Sequence, residues 1–312
     1  MEYKNLGKSS LKVSELSLGT ALTIGQEIND LEVNRDILET AFNKGINYID
    51  LSSNYGNAES VFGSLLKNFD RENLVISSKC GWKLGDKTYD QGLSRKNIYQ
   101  SLHRSLKNIK TDYLDVFYAH RYDPEVRFEE VAITFNNLIS RGLIFHWGTS
   151  EWPVNILEKL YKYCFQNGLE PPIVDQTIFN FAVNKSLHNG RIDLCEKYGI
   201  GYMGYSVLCQ GLLTGKYHNS GFSQGRISKA DKINYDKTIL FYEQNKNRID
   251  LFINYAKTNS IKPISLAMAY ALNFSNSVLM GVSSKEQVLE NINNYNLSKK
   301  ILKNSINDLV NI

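Results

Sequence analysis

Four residues with complementary chemistry follow short β-branched or aromatic runs of the chain: Asp50, Tyr55, Lys79 and His120. A carbonyl group that accepts a hydride on its carbon also needs a proton for its oxygen. Tyrosine is a weak proton donor because its ordinary pKa is about 10, and a nearby ammonium group such as that of Lys79 lowers this pKa by stabilising the phenolate. Asp50 can supply the counter-charge that a buried lysine needs, and His120 can orient the substrate oxygen by a hydrogen bond. The four residues therefore predict reduction of an aldehyde or ketone, with Tyr55 as proton donor.

Each of these residues also has a simpler structural explanation. An aspartate at a strand end often caps a loop, a lysine after a strand is usually solvated, and the chain contains 19 tyrosines. A single histidine near a strand end is more often structural than catalytic. Four complementary side chains at consecutive strand ends favour an active site over coincidence. The strand ends carry no cluster of His and carboxylate ligands, so we predict no metal site.

Strand-like and helical patterns alternate along the chain in eight units. The strands are predicted at residues 15–18, 48–51, 74–78, 113–118, 144–148, 173–176, 201–205 and 278–280. The helices are predicted at residues 31–44, 58–66, 94–109, 128–140, 154–167, 185–198, near 250–258, and 285–293. Eight such units in this length predict an α/β fold, a (β/α)8 TIM barrel. Residues 2–13 predict an N-terminal β-hairpin outside the repeat, and residues 298–312 predict an extra C-terminal helix.

A doubly wound open sheet would give the same alternation of strands and helices. A dinucleotide-binding sheet of that kind should show G-x-G-x-x-G after its first strand. The first strand here is followed by Leu18-Gly19-Thr20-Ala21-Leu22-Thr23, which lacks that pattern. The barrel is therefore favoured. In a barrel, the carboxyl ends of the strands meet at one mouth, which would bring the four candidate residues together.

The overall composition limits the class of protein. The 312 residues carry a formal charge of +4, and the basic residues are spread along the chain, which argues against a nucleic-acid partner. No stretch approaches the ~20 apolar residues of a membrane span, and the N-terminus lacks the apolar run of a signal peptide. The four cysteines are scattered without a C-x-x-C pair, so we predict free thiols. We expect a soluble, cytoplasmic protein with a single domain at residues 1–312.

Several motifs together give a specific resemblance to a known family. They are Asp50 with Tyr55-Gly56, Ser78-Lys79, Phe117-Tyr118-Ala119-His120-Arg121-Tyr122-Asp123, Trp147-Gly148-Thr149-Ser150-Glu151-Trp152, Gly211-Leu212-Leu213-Thr214-Gly215-Lys216-Tyr217, and Gly281-Val282-Ser283-Ser284-Lys285-Glu286-Gln287-Val288-Leu289-Glu290-Asn291. The sequence resembles the aldo-keto reductase superfamily over nearly its whole length. Within that superfamily it is similar to the branch of the potassium-channel β-subunits and their plant and microbial relatives.

The resemblance implies that NADPH lies across the barrel mouth without a Rossmann fold. Ser150 and Gln176 match residues that hold the nicotinamide amide, and Tyr205 matches the aromatic residue stacked on its ring. The other implied cofactor contacts are Gly19, Thr20, Asp50 and Gly281 at strand ends, Ser206, Leu208 and Lys216 at the pyrophosphate, and Arg226, Ser283, Gln287, Glu290 and Asn291 at the adenosine end with its 2′-phosphate. Aromatic faces suit flat rings, and cations and a helix N-terminus suit phosphates. We expect a preference for NADPH over NADH, carried partly by Arg226 and Gln287.

Two stretches depart from the family pattern, and two further predictions concern a strap and the substrate pocket. Ser206-Val207-Leu208 replaces the usual Ser-Pro-Leu, and Thr20-Ala21-Leu22 lacks the aromatic residue common after the first strand. Residues 217–235 are rich in Gly, Ser, Asn and Lys and predict a mobile strap or lid, with a plain surface loop as the alternative. The substrate pocket is predicted to include Trp82, Tyr122 and Trp152, for which core packing is the alternative.

Three functions remain open at this stage. The first is an NADPH-dependent carbonyl reductase, which His120 favours because the channel β-subunits carry a different residue at that position. The second is a regulatory, redox-sensing subunit that holds NADP(H) with little turnover, although the short stretch before Leu6 disfavours a channel-inactivation segment. The third is a keto-reductase of nucleotide-linked sugars in deoxysugar biosynthesis. A small-molecule carbonyl compound is the expected partner. Relatives assemble as dimers, tetramers or octamers, so the resemblance also allows a homo-oligomer.

Overall fold

A closed barrel of eight parallel strands forms the centre of the molecule. A computed structural model describes residues 1–217, 221–223, 227–229 and 232–310. The barrel strands are β3 (Leu16–Gly19), β4 (Tyr48–Asp50), β5 (Val75–Cys80), β6 (Leu114–Ala119), β7 (Ile144–Ser150), β8 (Val174–Ile178), β9 (Gly201–Tyr205) and β10 (Ser277–Gly281). They follow chain order around the barrel, and β10 pairs with β3 to close it. The predicted (β/α)8 barrel is confirmed.

Ten α-helices surround the barrel or follow it in the part of the chain that the structure describes. They are α1 (Leu31–Asn43), α2 (Ala58–Leu65), α3 (Arg95–Ile109), α4 (Phe128–Ser140), α5 (Val154–Gln166), α6 (Arg191–Tyr198), α7 (Lys232–Thr258), α8 (Pro263–Leu272), α9 (Lys285–Ser298) and α10 (Lys303–Val310). Polar side chains begin several of them: Asp30, Ser94 and Ser284 each accept a hydrogen bond from a backbone amide of the first turn. The extra C-terminal helix is confirmed as α10.

The N-terminal hairpin closes the bottom of the barrel. Strands β1 (Tyr3–Asn5) and β2 (Lys12–Ser14) pair antiparallel, and the turn between them packs against the amino ends of the barrel strands. The backbone amide of Lys8 donates to the carbonyl of Gly199 at 2.8 Å. Gly7 has a positive φ of 61°, and a Cβ there would lie 2.5 Å from the backbone nitrogen of Gly201, so only glycine fits. With this end closed, the carboxyl ends of the strands form the open mouth.

Two helix predictions need correction. The helix predicted at residues 185–198 is broken into a 3₁₀ turn, Lys185–Leu187, and α6. Gly190 adopts a left-handed φ of 78° between them, and the side chain of Asn189 accepts a hydrogen bond from the amide of Arg191 at 3.1 Å. The helix predicted near residues 250–258 is the second half of α7, which begins at Lys232.

The strap predicted at residues 217–235 is described only in part. Residues 218–220, 224–226 and 230–231 lie outside the described chain. Within the remainder, Ile227–Lys229 forms a 3₁₀ turn and α7 already includes residues 232–235. Helix α8 was not predicted at all.

Two further features concern the whole chain. Among the described residues, no helix combines the length and the apolar character that crossing a membrane requires. The four cysteines are buried free thiols, as predicted. Burial raises the pKa of each of these thiols.

Candidate active site

The strand order of the barrel brings the four candidate residues to one end. Asp50 is the last residue of β4, Lys79 lies near the end of β5, and His120 follows the last residue of β6. The backbone amide of His120 donates to the carbonyl of Cys80 at 2.9 Å, which ties the end of β6 to the end of β5. Tyr55 lies in the loop between β4 and α2 and is partly exposed at the mouth.

Lys79 and Asp50 form a buried ion pair at the floor of this mouth. The lysine Nζ lies 2.5 Å from Asp50 Oδ2 and also donates to the carbonyl of Leu51 at 2.8 Å. Both side chains are buried, and the lysine is 0% exposed. The other carboxylate oxygen of Asp50 accepts from Ser77 Oγ at 3.1 Å and from Gln176 Nε2 at 3.0 Å. Burial lowers the pKa of Lys79, and the charge of Asp50 opposes that change.

Tyr55 lies over this ion pair and next to His120. Its ring centroid is 4.7 Å from Lys79 Nζ and 6.0 Å from the imidazole centroid. Burial raises the pKa of Tyr55, and the negative charge of Asp50 raises it further, while the charge of Arg121 opposes both. The pKa of Tyr55 is therefore raised and not lowered as predicted, because burial and the charge of Asp50 both disfavour the phenolate in the resting site. The phenol accordingly keeps its proton at neutral pH.

His120 is a neutral imidazole in this setting. It is buried, and Nδ1 lies 3.4 Å from Ser52 Oγ. Burial lowers the pKa of His120 to about 2, with smaller contributions from the positive charges of Lys79 and Arg121. A neutral imidazole has one N–H donor and one acceptor nitrogen. It can therefore donate a hydrogen bond to a substrate oxygen without acting as a charged acid.

A polar pair and an aromatic ring lie on the neighbouring strand ends. Ser150 and Gln176 face each other in the register of β7 and β8, and Tyr205 ends β9. The hydroxyl of Tyr205 donates to Glu151 Oε1 at 3.0 Å, and the same oxygen accepts from the amide of Ile178 at 2.6 Å. The Glu151 backbone has a positive φ of 56°. Sequence reasoning missed Glu151, which fixes the hydroxyl end of the Tyr205 ring.

The segment after β9 has an unusual backbone. Ser206, Cys209, Gln210 and Gly211 all have positive φ, between 49° and 93°. The carbonyl of Ser206 accepts from Asn180 Nδ2 at 2.9 Å, and this asparagine is buried. Val207, which replaces the proline of the family pattern, is buried in the core. Leu208 lies within this segment and Lys216 follows it, with Lys216 Nζ 4.7 Å from the ring centroid of Tyr217.

The predicted adenosine-end residues begin at the end of β10. Gly281 pairs in register with Gly19 of β3, and Thr20 Oγ1 donates to the carbonyl of Asp50 at 2.8 Å. The amide of Ser283 donates to Gln287 Oε1 at 2.9 Å, next to the first turn of α9. Glu290 is exposed and Asn291 partly exposed on the same helix. Arg226 lies outside the described residues.

The three predicted substrate residues differ in their surroundings. Trp82 is 43% exposed, and its ring centroid lies 5.4 Å from that of His120, so it borders the mouth. Trp152 is 0% exposed and donates its indole N–H to the carbonyl of Ala119 at 3.1 Å. Tyr122 packs on Trp152 with centroids 5.3 Å apart. A second residue that sequence reasoning missed, Arg121, lies over the Trp82 ring with Cζ 4.8 Å from the centroid.

These groups fit a nicotinamide dinucleotide. A carboxamide needs both a donor and an acceptor, and the Ser150 hydroxyl and Gln176 amide offer both. Tyr205 offers an aromatic face of fixed orientation, while Gly19 and Gly281 have no side chains to obstruct the rim between β3 and β10. Ser150, Gln176 and Tyr205 would hold the nicotinamide end, and Ser283 and Gln287 lie where the other end would reach along the rim.

Comparisons with known proteins identify the family of the chain. The model of a family described as "Aldo/keto reductase family" matches residues 15–309. A protein of Oryza sativa subsp. japonica named "Probable voltage-gated potassium channel subunit beta" is 33% identical over 307 residues, which cover 94% of this chain and 90% of that protein. A protein of Schizosaccharomyces pombe named "Putative voltage-gated potassium channel subunit beta" is 36% identical over 301 residues, which cover 93% of this chain and 87% of that protein. The resemblance predicted from the motifs is thus confirmed, and the chain belongs to the aldo/keto reductase family.

Proposed function

We propose that this protein reduces an aldehyde or ketone to the alcohol with NADPH, and that Tyr55 is the proton donor. The observation that carries the proposal is the buried Lys79–Asp50 pair under the Tyr55 ring, beside the neutral imidazole of His120. A donor, its charged neighbour and an orienting group within one mouth are the parts that carbonyl reduction requires. Ser150, Gln176 and Tyr205 are the residues proposed to hold the nicotinamide beside them.

Each side chain has one task in this proposal. When bound, NADPH supplies the hydride that ends on the carbonyl carbon. The N–H of His120 binds the carbonyl oxygen and orients it toward Tyr55. As that oxygen becomes an alkoxide, the Tyr55 hydroxyl gives it a proton, because an alkoxide is a stronger base than a phenolate. The ammonium of Lys79 stabilises the phenolate left behind, which then takes a proton from water.

The test is a Tyr55→Phe variant assayed by NADPH consumption with 4-nitrobenzaldehyde. The ring and its packing remain and only the hydroxyl is lost, so we expect turnover to fall by roughly 100-fold or more. Binding of NADPH, followed by protein fluorescence, should stay within about threefold of wild type, since the hydroxyl lies outside the proposed nicotinamide contacts. Tyr89→Phe is the matched control, because Tyr89 is exposed on the loop between β5 and α3. A near-normal rate for Tyr55→Phe would remove Tyr55 as the proton donor.

A regulatory role is the second candidate, favoured by the names of the two relatives, both potassium-channel β-subunits. In this role the chain would bind NADP(H) and turn over slowly. The same experiments separate the two candidates. Tight NADPH binding by wild type without turnover of any aldehyde or ketone in a broad panel would favour the regulatory role, whereas turnover that Tyr55→Phe abolishes would favour the reductase.

A further inference from the structure

Arg121 holds a cation over the mouth, next to the reacting groups. It follows His120 directly, and its guanidinium carbon lies 4.8 Å from the ring centroid of Trp82. One nitrogen, Nη1, donates to Ser150 Oγ at 3.0 Å and to the carbonyl of His120 at 2.6 Å. The guanidinium is therefore fixed between Trp82 on the substrate side and Ser150 on the proposed nicotinamide side.

The charge of this guanidinium has no carboxylate partner among the described residues. Two other arginines with largely buried side chains do have a carboxylate partner: Arg71 pairs with Asp115 and Arg191 pairs with Asp175. At the mouth, Asp50 is engaged by Lys79, and Glu151, which follows Ser150 in the chain, accepts hydrogen bonds from Tyr205 and Ile178. A partly buried cation without a counter-charge is unfavourable by itself. Its position at a site that binds small molecules points to an anionic group on the ligand.

The position of Arg121 also makes its charge effective at the reacting atoms. Burial raises the pKa of Tyr55 and of Tyr205, and the charge of Arg121 opposes that rise. Burial lowers the pKa of His120, and the charge of Arg121 adds to that fall. An anion bound to Arg121 would thus lie beside the carbonyl group that those side chains address. Arginine is suited to this because its planar fork binds carboxylate and phosphate oxygens in pairs.

We propose that Arg121 is a specificity-determining residue that binds a carboxylate or phosphate on the substrate, so that the site selects anionic aldehydes or ketones. This inference rests on the proposed reductase function. The shared chemistry is an oxyanion near the carbonyl group. Trp82, stacked against the guanidinium, would cover the same part of the substrate with an apolar surface.

The test compares 4-formylbenzoate with its neutral methyl ester. The ester withdraws electrons more strongly, so a preference for the carboxylate cannot come from intrinsic reactivity. Since a charge-assisted hydrogen bond is worth about tenfold or more in binding, we expect wild type to show a kcat/KM at least ~10-fold higher for the carboxylate. Arg121→Met should remove this preference by raising the KM of the carboxylate. The result is judged by the ratio of the two kcat/KM values, because any effect through Ser150 or Tyr55 is shared by both substrates. A parallel assay with 4-formylphenyl phosphate tells which oxyanion is preferred.

Lys83→Met is the matched control. Lys83 is next to Trp82 in the chain, but its side chain is exposed and paired with Asp86, so removing it should leave the preference for the carboxylate intact. Arg121→Lys keeps the charge and loses the fork, and we expect an intermediate preference; it also replaces Arg121→Met if that variant does not fold.

Two results would overturn the inference: equal kcat/KM of wild type for acid and ester, or an equal loss for both substrates in Arg121→Met. If wild type reduces neither aldehyde, the inference is decided by binding, while the proposed function is decided separately by the broad panel of aldehydes and ketones. Titration of 4-formylbenzoate, followed by tryptophan fluorescence, should show tighter binding to wild type than to Arg121→Met, and equal binding would refute it.

Discussion

Replacing Asp50 by asparagine tests the ion pair at the floor of the mouth. Asp50→Asn keeps the shape of the side chain and its neighbours Ser77 and Gln176, and removes the charge that Lys79 faces. The lysine is 0% exposed, and the carbonyl of Leu51 is the other acceptor that the structure gives it. Removing one partner of a buried ion pair leaves the other charge without compensation, which lowers the free energy of unfolding by about 3–5 kcal/mol. We expect Asp50→Asn to fall in that range at neutral pH.

The pH dependence of this loss has a definite sign. The folded-state pKa of Lys79 is already lowered from 10.5 by burial, so the unfolded chain binds the lysine proton more tightly. The free energy of unfolding therefore rises with pH between the folded-state pKa and the ordinary lysine value. Without Asp50 the folded-state pKa of Lys79 falls further. The pH range in which the free energy of unfolding rises therefore begins at a lower pH in Asp50→Asn than in wild type. The deficit of Asp50→Asn relative to wild type should be largest in acid and should shrink as the pH rises.

The assay is equilibrium urea unfolding, followed by tryptophan fluorescence at several pH values between about 6 and 9. Lys79→Met and the double variant Asp50→Asn/Lys79→Met complete a double-mutant cycle. The double variant should recover much of the stability lost in Asp50→Asn, because it no longer buries an unpaired charge. A loss under about 1 kcal/mol without pH dependence, or a double variant whose loss equals the sum of the single losses, would contradict the reasoning.

Two further predictions follow from single contacts. Glu151→Gln removes the carboxylate that fixes the Tyr205 hydroxyl, so NADPH affinity should fall by roughly threefold to tenfold in a fluorescence titration; unchanged affinity would mean that Glu151 does not position this ring. Gly63→Ala would place a Cβ against the carbonyl oxygen of Asn108, where α2 crosses α3, and should lower the free energy of unfolding by about 2 kcal/mol or more. Its control, Gly142→Ala, has open space but a positive φ of 67°, and should lose only about 1 kcal/mol.

The common location of the candidate catalytic residues could be predicted because barrel topology restricts their positions. Asp50, Lys79 and His120 follow consecutive barrel strands, and parallel strands in a closed barrel place all their carboxyl ends at one mouth. No side-chain geometry was needed for that step. The barrel strands also ended within about two residues of their predicted positions.

The outer helices were harder to predict, because their patterns are less regular. Helix α8 is buried on nearly all sides, so its sequence shows no alternation between an apolar and a polar face. Pro263 at its first position was the available signal. Helix α7 is long and polar, and its buried residues are concentrated after Ile249. Only that half has the apolar spacing from which a helix is predicted.

The electrostatics of the mouth could not be predicted from residue types, because they depend on which charges are compensated. The sequence places a lysine near Tyr55 and predicts an acidic tyrosine, yet the structure pairs that lysine with Asp50 and raises the pKa of Tyr55. Among the described residues of the mouth, Arg121 is a cation without a carboxylate partner, and its proposed role depends on a cross-strand contact with Ser150 and on its stacking over Trp82. Glu151 likewise depends on a positive φ that no residue type signals. The position of the proposed proton donor thus follows from barrel topology, whereas the proposed preference for a charged substrate depends on the side-chain pairs at its rim.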